Sequence, residues 1–314
     1  MDSYLGIDVG GTKVAVGLVT STGKVMDRLV CPTVKSDPEE FVRLVVGMVA
    51  RLIGSDFRPR ACGVAVPAYL NREYGVVKWC PNIPVLNNFP LGVELSKLLG
   101  IPVVLEYDGH ALTLGEYWKG CGAGRRSMVF LSIGTGIGGG MILDGKLHRG
   151  VSGTAGAFGW MIIERNWLDH SKEECGNLEF EASGVAYKRK VALWEASLGC
   201  SCGAALDDSE AMLVASNQDN EADQADSPRK DVMTYLGMAV STLVSVLNPE
   251  VVVIGGGFGV SLGQPFVELL TSMISRYSAP YAARVVEVCL SSLGVDAGII
   301  GSAQSAMLLQ NVEG

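Results

Sequence analysis

Several features of large protein classes are missing from this sequence. No apolar run in the 314 residues reaches the ~18 residues that a membrane span needs, so a membrane-spanning protein is not expected. The first residues show no basic segment followed by an apolar one, so no secretory signal peptide is predicted. The net charge is −8 and no block of lysine or arginine stands out, which argues against nucleic acid as a partner.

Charged residues are also scarce, at 18% of the chain, whereas hydrophobic residues make up 48%. A chain of this length and composition can bury a large core, and it divides more naturally into two domains than one. The 8 cysteines stand mostly in apolar contexts, as in Ala61-Cys62-Gly63. We interpret them as reduced core residues of a cytoplasmic protein.

A P-loop is absent as well, but two other glycine-rich turns are present. They are Asp8-Val9-Gly10-Gly11-Thr12-Lys13 and Ile133-Gly134-Thr135-Gly136-Ile137-Gly138-Gly139-Gly140, and each follows an apolar run. Glycine permits positive φ and close approach of backbone N–H groups to a ligand, so the pair predicts two cradles around one polyphosphate. Hairpin glycines without a ligand are the alternative. The spacing of Gly134, Gly136 and Gly139 matches a dinucleotide fingerprint, but a strand and not a helix is predicted next.

The order of predicted elements is similar in the two halves of the chain. Periodicity and turn residues predict strands at 5–9, 14–19, 25–30, 61–66, 103–106, 128–133, 141–143, 251–254 and 285–290. Helices are predicted from Pro38, with Asp37 as N-cap, from residue 111, and at 178–198, 232–247 and 297–309. The glycine turn is expected to span 134–140, and the polar stretch 207–229 to be a solvated loop or frayed helix. Strand-turn-strand modules near residues 4 and 128 indicate an internal duplication, with two α/β lobes around a cleft.

Three motifs together carry a family resemblance. The first turn, the segment Leu131 to Gly140, and Asn248-Pro249-Glu250-Val251-Val252-Val253-Ile254-Gly255-Gly256-Gly257 resemble the ROK family of repressors, open reading frames and sugar kinases. The similarity runs from residue 4 to about residue 308. It implies the actin-like ATPase (ribonuclease H-like) fold, with a first lobe at 1–112 joined by the C-terminal helix 297–314, and a larger second lobe at 113–296.

The resemblance implies an ATP-dependent kinase that phosphorylates a hexose, amino sugar or related polyol. Asp108 matches the catalytic aspartate of the family, and a carboxylate there would take the proton of the attacking hydroxyl. A helix N-cap is the alternative role for Asp108. Asp8 resembles the residue that holds Mg²⁺ through water. The residues that would surround ATP are Gly10, Gly11, Thr12, Thr135, Gly136, Gly256 and Gly257, with Lys13 either near the phosphates or in solvent.

The acceptor pocket departs from the family pattern. Asn82 and Glu179 match sugar-binding positions, although a turn asparagine and a surface helix glutamate are the alternatives. Tyr107 stands where the family commonly has asparagine. Ala157 and Trp160 replace a glutamate and a histidine that hold sugar hydroxyls, so recognition near carbons one and two should be relaxed or redirected. Trp160 would either stack on the substrate or fill the space that histidine leaves.

The zinc motif of the family is lost, and no zinc site is expected. A displaced set of His170, Cys175, Cys200 and Cys202 is the alternative, because four such ligands can hold zinc.

A sensor that binds sugar or nucleotide without catalysis is a second hypothesis for the function. A transcriptional regulator is disfavoured, since only three residues precede the first strand and no basic recognition helix is visible. By analogy with the family, a homodimer without nucleic-acid or membrane partners is expected.

Overall fold

Two five-stranded sheets with the same strand order form the framework of the protein. The structure is a computed structural model that describes residues 2–54, 58–169, 175–197 and 227–310. The first sheet has the order β3-β2-β1-β4-β7, with β1 Ser3–Val9, β2 Lys13–Thr20, β3 Val25–Pro32, β4 Cys62–Val66 and β7 Val103–Tyr107. The second has the order β10-β9-β8-β11-β12, with β8 Met128–Ile133, β9 Ile137–Leu143, β10 Lys146–Leu147, β11 Val251–Gly255 and β12 Glu287–Leu290. A small hairpin pairs β5 Tyr69–Asn71 with β6 Val76–Trp79.

The strand pairing repeats between the two sheets. β1 is antiparallel to β2 and parallel to β4, and β4 is parallel to β7. In the second sheet β8 is antiparallel to β9 and parallel to β11, which is parallel to β12. The predicted duplicated α/β fold is therefore confirmed. Ligands of open α/β sheets bind beyond the carboxyl ends of the parallel strands, and that edge carries Asp8 and Asp108.

Ten helices are present in the described part of the chain. They are α1 Pro38–Ile53, α2 Leu91–Leu99, α3 Asp108–Lys119, α4 Asn177–Ala182, α5 Gly184–Ser197, α6 Pro228–Leu247, α7 Gly257–Ser261, α8 Gly263–Tyr277, α9 Pro280–Val285 and α10 Ala297–Gln310. Asp37 caps α1 as predicted, because its Oδ1 accepts the Glu40 N–H at 2.7 Å. This contact satisfies one of the N–H groups that a helix start leaves without a partner.

The second glycine turn and the helix at 178–198 differ from the sequence prediction. Helices α2, α8 and α9 and the β5–β6 hairpin were not predicted, and the strand predicted at 285–290 begins at Glu287 because α9 extends to Val285. The second glycine turn covers only residues 134–136, because β9 begins at Ile137 and pairs its three glycines with β8. The helix predicted at 178–198 is interrupted at Ser183, whose backbone is extended and whose hydroxyl accepts the Ala186 N–H at 3.2 Å. The side chain of Ser183 thus offers the backbone an alternative to a continuous helix. Most of the predicted loop 207–229 lies outside the described residues, and Ser227 caps α6.

Helix α10 packs against the first sheet and α3. Gly6 in β1 and Gly63 in β4 face its backbone, at Ile299 and Ser302, and a Cβ at either glycine would overlap a carbonyl oxygen. Glycine therefore permits a closer helix-on-sheet approach than any larger residue. The lobe boundaries near residues 112 and 296 stay predictions.

Helix α6 is long and apolar enough to cross a bilayer by length and composition alone. Half of its most apolar window is buried inside the protein, and it packs against α4, α5 and α8. A buried core helix that is apolar on most faces can have the same length and composition as a membrane-spanning helix. The composition of α6 is therefore weak evidence for a membrane span.

Candidate active site

Two aspartates lie at the carboxyl edge of the first sheet. Asp8 is near the end of β1, and Asp108 is the first residue of α3, directly after β7. Both residues, taken as a whole, are intermediate in exposure. Tyr107 is the N-cap of α3, and Oδ1 of Asp108 accepts the neighbouring Gly109 N–H at 2.7 Å. The N-cap role considered for Asp108 is therefore wrong.

The pKa values of both carboxyl groups are raised. Burial, reinforced by the charge of Asp108, raises the pKa of Asp8 to about 6, and the charge of Lys13 opposes the rise. Burial also raises the pKa of Asp108, against the hydrogen bond from Gly109 and the charge of His110. Two carboxylates that repel each other at a cleft favour a cation between them. Mg²⁺ is held in this way by one or two carboxylates together with substrate phosphates, so the donor set fits the metal.

The raised pKa of Asp8 predicts that Asp8→Asn stabilises the unliganded protein at pH 7. Asp8 ionises near its usual pKa of about 4 in the unfolded chain and near 6 when folded, so stability falls as pH rises between these values. We expect a gain of about 1–2 kcal/mol in the free energy of unfolding by urea, reduced from the full linkage value because Asp8 keeps contact with solvent.

The matched control for this variant is Asp144→Asn, since Asp144 lies in an exposed hairpin turn and pairs with exposed Arg126 at 3.1 Å. Its unfolding free energy should stay within about 0.5 kcal/mol of the original. The gain from Asp8→Asn should vanish at pH 4, where the carboxyl group is protonated in the folded state. An equal gain at both pH values would contradict the proposed cause.

Two hydrogen bonds at Gly10 hold the first glycine turn. The Gly10 N–H donates to the Lys13 carbonyl at 2.9 Å, and Thr33 donates its hydroxyl to the Gly10 carbonyl at 2.7 Å. Thr12 and Lys13 are exposed. Lys13 is close enough to Asp8 for its charge to lower the aspartate pKa, which favours the role near the phosphates. In the first turn of α10, Gly298 lies against the Asp8 carboxylate and leaves no room for a side chain.

The second glycine turn is held by three hydrogen bonds. Gly134 N–H donates to the Gly136 carbonyl at 2.9 Å, and Gly184 N–H donates to the Gly134 carbonyl at 2.8 Å. Oε2 of Glu179 accepts the Ile137 N–H at 2.7 Å, while burial raises the pKa of that carboxyl group. Thr135 is exposed at the tip of the turn.

The third glycine cluster lies behind the second turn. Gly256 has φ +76° and packs so tightly on the Ile133 backbone that a Cβ would overlap it. Gly257 begins α7 directly after it. The positive φ and the close packing both require glycine at position 256. This arrangement joins the cluster to the second turn.

The residues predicted for the acceptor surround the two turns. Asn82 is exposed and lies against the first turn, because a Cβ added to Gly11 would be 3.3 Å from the Cβ of Asn82. The hydroxyl of Tyr107 lies 2.7 Å from the Cβ position of Gly138, and burial, followed by the charges of Asp108 and Glu179, raises the pKa of Tyr107. The structure thus places the Tyr107 side chain between Asp108 and β9.

Ala157 and Trp160 lie on the loop after β10, which we call the acceptor loop (residues 148–164). Ala157 is partly buried and donates its N–H to the Thr154 carbonyl at 3.2 Å. Trp160 ends a short 3₁₀ helix and is 59% exposed. A side chain this exposed does not fill a buried gap, so the geometry favours the stacking role for Trp160.

A cluster of charged residues around buried Glu106 holds the acceptor loop against β7. The sequence interpretation missed this cluster. Glu106 in β7 is fully buried and accepts Arg149 Nη2 at 2.7 Å, Arg72 Nη2 at 3.1 Å and the Ser305 hydroxyl at 3.0 Å. Buried His110 lies within hydrogen-bond distance, 2.6 Å, of the Ala155 carbonyl in that loop. A glutamate within the apolar strand Val103-Val104-Leu105-Glu106 was the signal that could have revealed the cluster.

Of the four alternative zinc ligands, the described part of the chain contains Cys175 alone. Cys175 is partly buried there, and no group of three or more His, Cys, Asp or Glu residues in that part could hold a metal ion. His170, Cys200 and Cys202 lie outside the described residues.

Comparison with known proteins gives the family. The model of the ROK family matches residues 4–309. A glucokinase from Thermotoga maritima is 33% identical over 304 residues, 95% of each chain. The ROK hexokinase from Thermus thermophilus has a TM-score of 0.81 at 28% identity, covering 99% of this chain and 100% of its own. A ROK glucokinase from Streptomyces griseus, solved with glucose and AMPPNP, has a TM-score of 0.78 at 26% identity and coverage of 98% and 99%. The chain therefore belongs to the ROK family and is an ATP-dependent sugar kinase.

Proposed function

We propose that this kinase transfers the γ-phosphoryl group of Mg·ATP to a hydroxyl of a hexose, amino sugar or related polyol, with Asp108 as general base. The observation that carries the proposal is the position of Asp108, directly after β7 at the carboxyl edge of the first sheet. There its charge acts on Asp8, and the next residue, Gly109, packs against the backbone of Gly139 in β9. In the reaction, the hydroxyl oxygen bonds to the γ-phosphorus, the bond to the β–γ bridging oxygen breaks, and the hydroxyl proton passes to Asp108.

The state of Asp108 suits this role. Gly109 N–H engages Oδ1, which orients the carboxylate, and we assign Oδ2 as the oxygen that accepts the proton. Burial raises the pKa of Asp108, which makes the carboxylate a better base than a solvated aspartate. The exposed hydroxyls of Thr12 and Thr135 lie at the tips of the two turns, where they would donate to the phosphates.

Asp8 is the residue that we propose to hold Mg²⁺, through a bound water. Burial and the charge of Asp108 raise the pKa of Asp8, so a cation bound beside Asp8 would stabilise its ionised carboxylate. When bound with ATP, the metal neutralises charge on the phosphates. Lys13 would add positive charge on the same side, since it already acts on Asp8.

The acceptor that we propose differs from unmodified glucose near carbons one and two. Ala157 offers no side-chain acceptor for a hydroxyl, and Tyr107 and Trp160 present aromatic groups instead. A site that lacks polar partners does not reject a substrate from which the matching hydroxyl is missing or replaced. N-acylated amino sugars, sugars altered at these carbons and cyclitols are therefore the classes to test. Asn82 would supply one remaining polar contact, and Oε1 of Glu179 would supply another, while its Oε2 holds the Ile137 N–H.

A coupled assay of ADP release over a panel of sugars, amino sugars and cyclitols tests the proposal. We expect turnover with at least one acceptor class, and a higher kcat/KM for it than for glucose. The turnover should fall by about 100-fold or more in Asp108→Asn and persist in Asp144→Asn, an aspartate of the exposed β9–β10 turn. No turnover with any compound, or turnover that Asp108→Asn leaves undiminished, would end the general-base proposal.

The replaced acceptor residues favour one second candidate, a sensor that binds nucleotide and sugar without transfer. In that case, calorimetry would show AMPPNP binding while the panel gives no ADP. For the kinase itself we propose a cytoplasmic homodimer by family analogy, with no nucleic-acid or membrane partner. Sedimentation of the purified protein checks the dimer.

A further inference from the structure

The short helix α4 lies between the second glycine turn and the acceptor loop. Its first residue, Asn177, is 1% exposed. The Asn177 Oδ1 accepts two backbone N–H groups of the loop, from Ile163 at 2.8 Å and from Glu164 at 3.0 Å. The next residue, Leu178, donates its N–H to the Met161 carbonyl at 3.1 Å. Residues 161–164 of the loop are thereby bound to the start of α4.

The same helix also binds the phosphate turn. Glu179, two residues after Asn177, accepts the Ile137 N–H through Oε2 at 2.7 Å. A Cβ on Gly136 would lie 2.5 Å from that oxygen, and one on Gly159 would lie 3.0 Å from Glu179 Cβ. One carboxylate therefore touches the turn, while the stem of its side chain touches the acceptor loop.

The contacts around α4 leave little room for independent movement. Just before the helix, Gly176 packs on Gly159 and on the backbone of Trp160, where a Cβ would overlap both. Packed elements of this kind move as units, because a small displacement cannot be absorbed by free volume. A shift of the second glycine turn would therefore carry α4, and with it the loop that holds Ala157 and Trp160.

We propose that Asn177 and Glu179 are positioning residues, and that α4 couples the nucleotide turn to the acceptor loop. Asn177 sets the position of residues 161–164, Glu179 sets that of residues 134–137, and the helix backbone joins the two. The role in phosphoryl transfer rests on the proposed function. The mechanical link rests only on the contacts of the described residues. Energetic coupling between two sites is reciprocal, so disturbing either end should loosen the other.

Amide hydrogen exchange of the unliganded protein tests the link from both ends. In Asn177→Ala, exchange should rise about tenfold at Ile163 and Glu164, and also at Ile137, which Asn177 does not contact. In Glu179→Ala, exchange should rise at Ile137 and also at Ile163 and Glu164. A purely local role would change only the N–H groups that each side chain binds, so unchanged exchange at the remote end in both variants would overturn the proposal.

Conservative variants and a matched control complete the test. Asn177→Asp and Glu179→Gln keep an oxygen acceptor, and they should retain slow exchange at both ends. Glu181→Gln serves as the control, because Glu181 lies on the same helix but pairs with Lys190 at 2.8 Å. It should leave both segments unchanged, and a loosening equal to that of Glu179→Ala would contradict the assignment.

Repeating the exchange measurement with bound nucleotide distinguishes this proposal from the proposed function. Saturating AMPPNP with Mg²⁺ should protect residues 134–137 and, through α4, residues 161–164 in the original protein. Protection of the turn alone would overturn the coupling while leaving the kinase proposal intact. Failure to bind AMPPNP would count against the proposed function, and the unliganded exchange experiment would still decide the link.

Discussion

Asp108→Asn is expected to lower kcat for phosphoryl transfer by about 10²–10⁴-fold. The amide of asparagine cannot take the proton of the attacking hydroxyl, yet it keeps the size of the side chain and an oxygen for the Gly109 N–H. Nucleotide affinity, measured by calorimetry with AMPPNP, should change less than about threefold, because the binding contacts that we assign lie on the glycine turns. A loss seen only in KM would contradict the role of general base.

The pH profile gives an independent check on Asp108. The base must be ionised, and burial raises its pKa above the usual value, so activity should fall as pH drops through that raised pKa. In the residual activity of Asp108→Asn this acidic limb should be missing. Asp144→Asn should keep both kcat and the limb, since Asp144 is exposed in the β9–β10 turn.

Glu106→Gln is expected to destabilise the protein by about 2–4 kcal/mol in urea unfolding. The variant leaves Arg72 and Arg149 without the buried charge that pairs them, and uncompensated charges of this kind are costly. We place the value at the lower end for buried ion pairs because both arginines are partly exposed. Arg149 lies in the acceptor loop and ties it to Glu106, so the KM for the acceptor should rise as well.

The pH dependence of stability follows from the same cluster. Burial alone would raise the pKa of Glu106, but hydrogen bonds from His110 and Arg149 and the charges of both arginines lower it to about 2. This stability is present above the usual glutamate pKa and is lost as pH falls from there toward 2, a loss that Glu106→Gln should not show. Glu287→Gln is the control, since Glu287 forms an exposed pair with Arg125. An effect of equal size there would contradict the explanation.

Part of the order of elements was predictable, where local chemistry decides it. The N-cap of α1 needs only Asp37, Pro38 and Glu40 in sequence, and the structure shows that cap. Alternating apolar runs with glycine turns predicted the duplicated sheets in the same way. The limits of the second turn were not predictable, because pairing with β8, a tertiary contact, decides that Gly138–Gly140 form strand. The break at Ser183 differs from this case, because the contact that marks it is local: the Ser183 hydroxyl accepts the Ala186 N–H three residues further on.

For the candidate site, the sequence by itself predicted the residue types, namely two aspartates, two glycine turns, and Ala157 and Trp160 where the family resemblance implies polar residues. Only the tertiary structure decided the links between them. Glu106 pairs with Arg149, and Asn177 accepts the N–H of Ile163. Both contacts join residues that are distant in sequence, so the local pattern of apolar residues does not predict them. The physical reason is burial: a charged or amide side chain removed from water must find partners wherever the fold brings them, often far away in sequence.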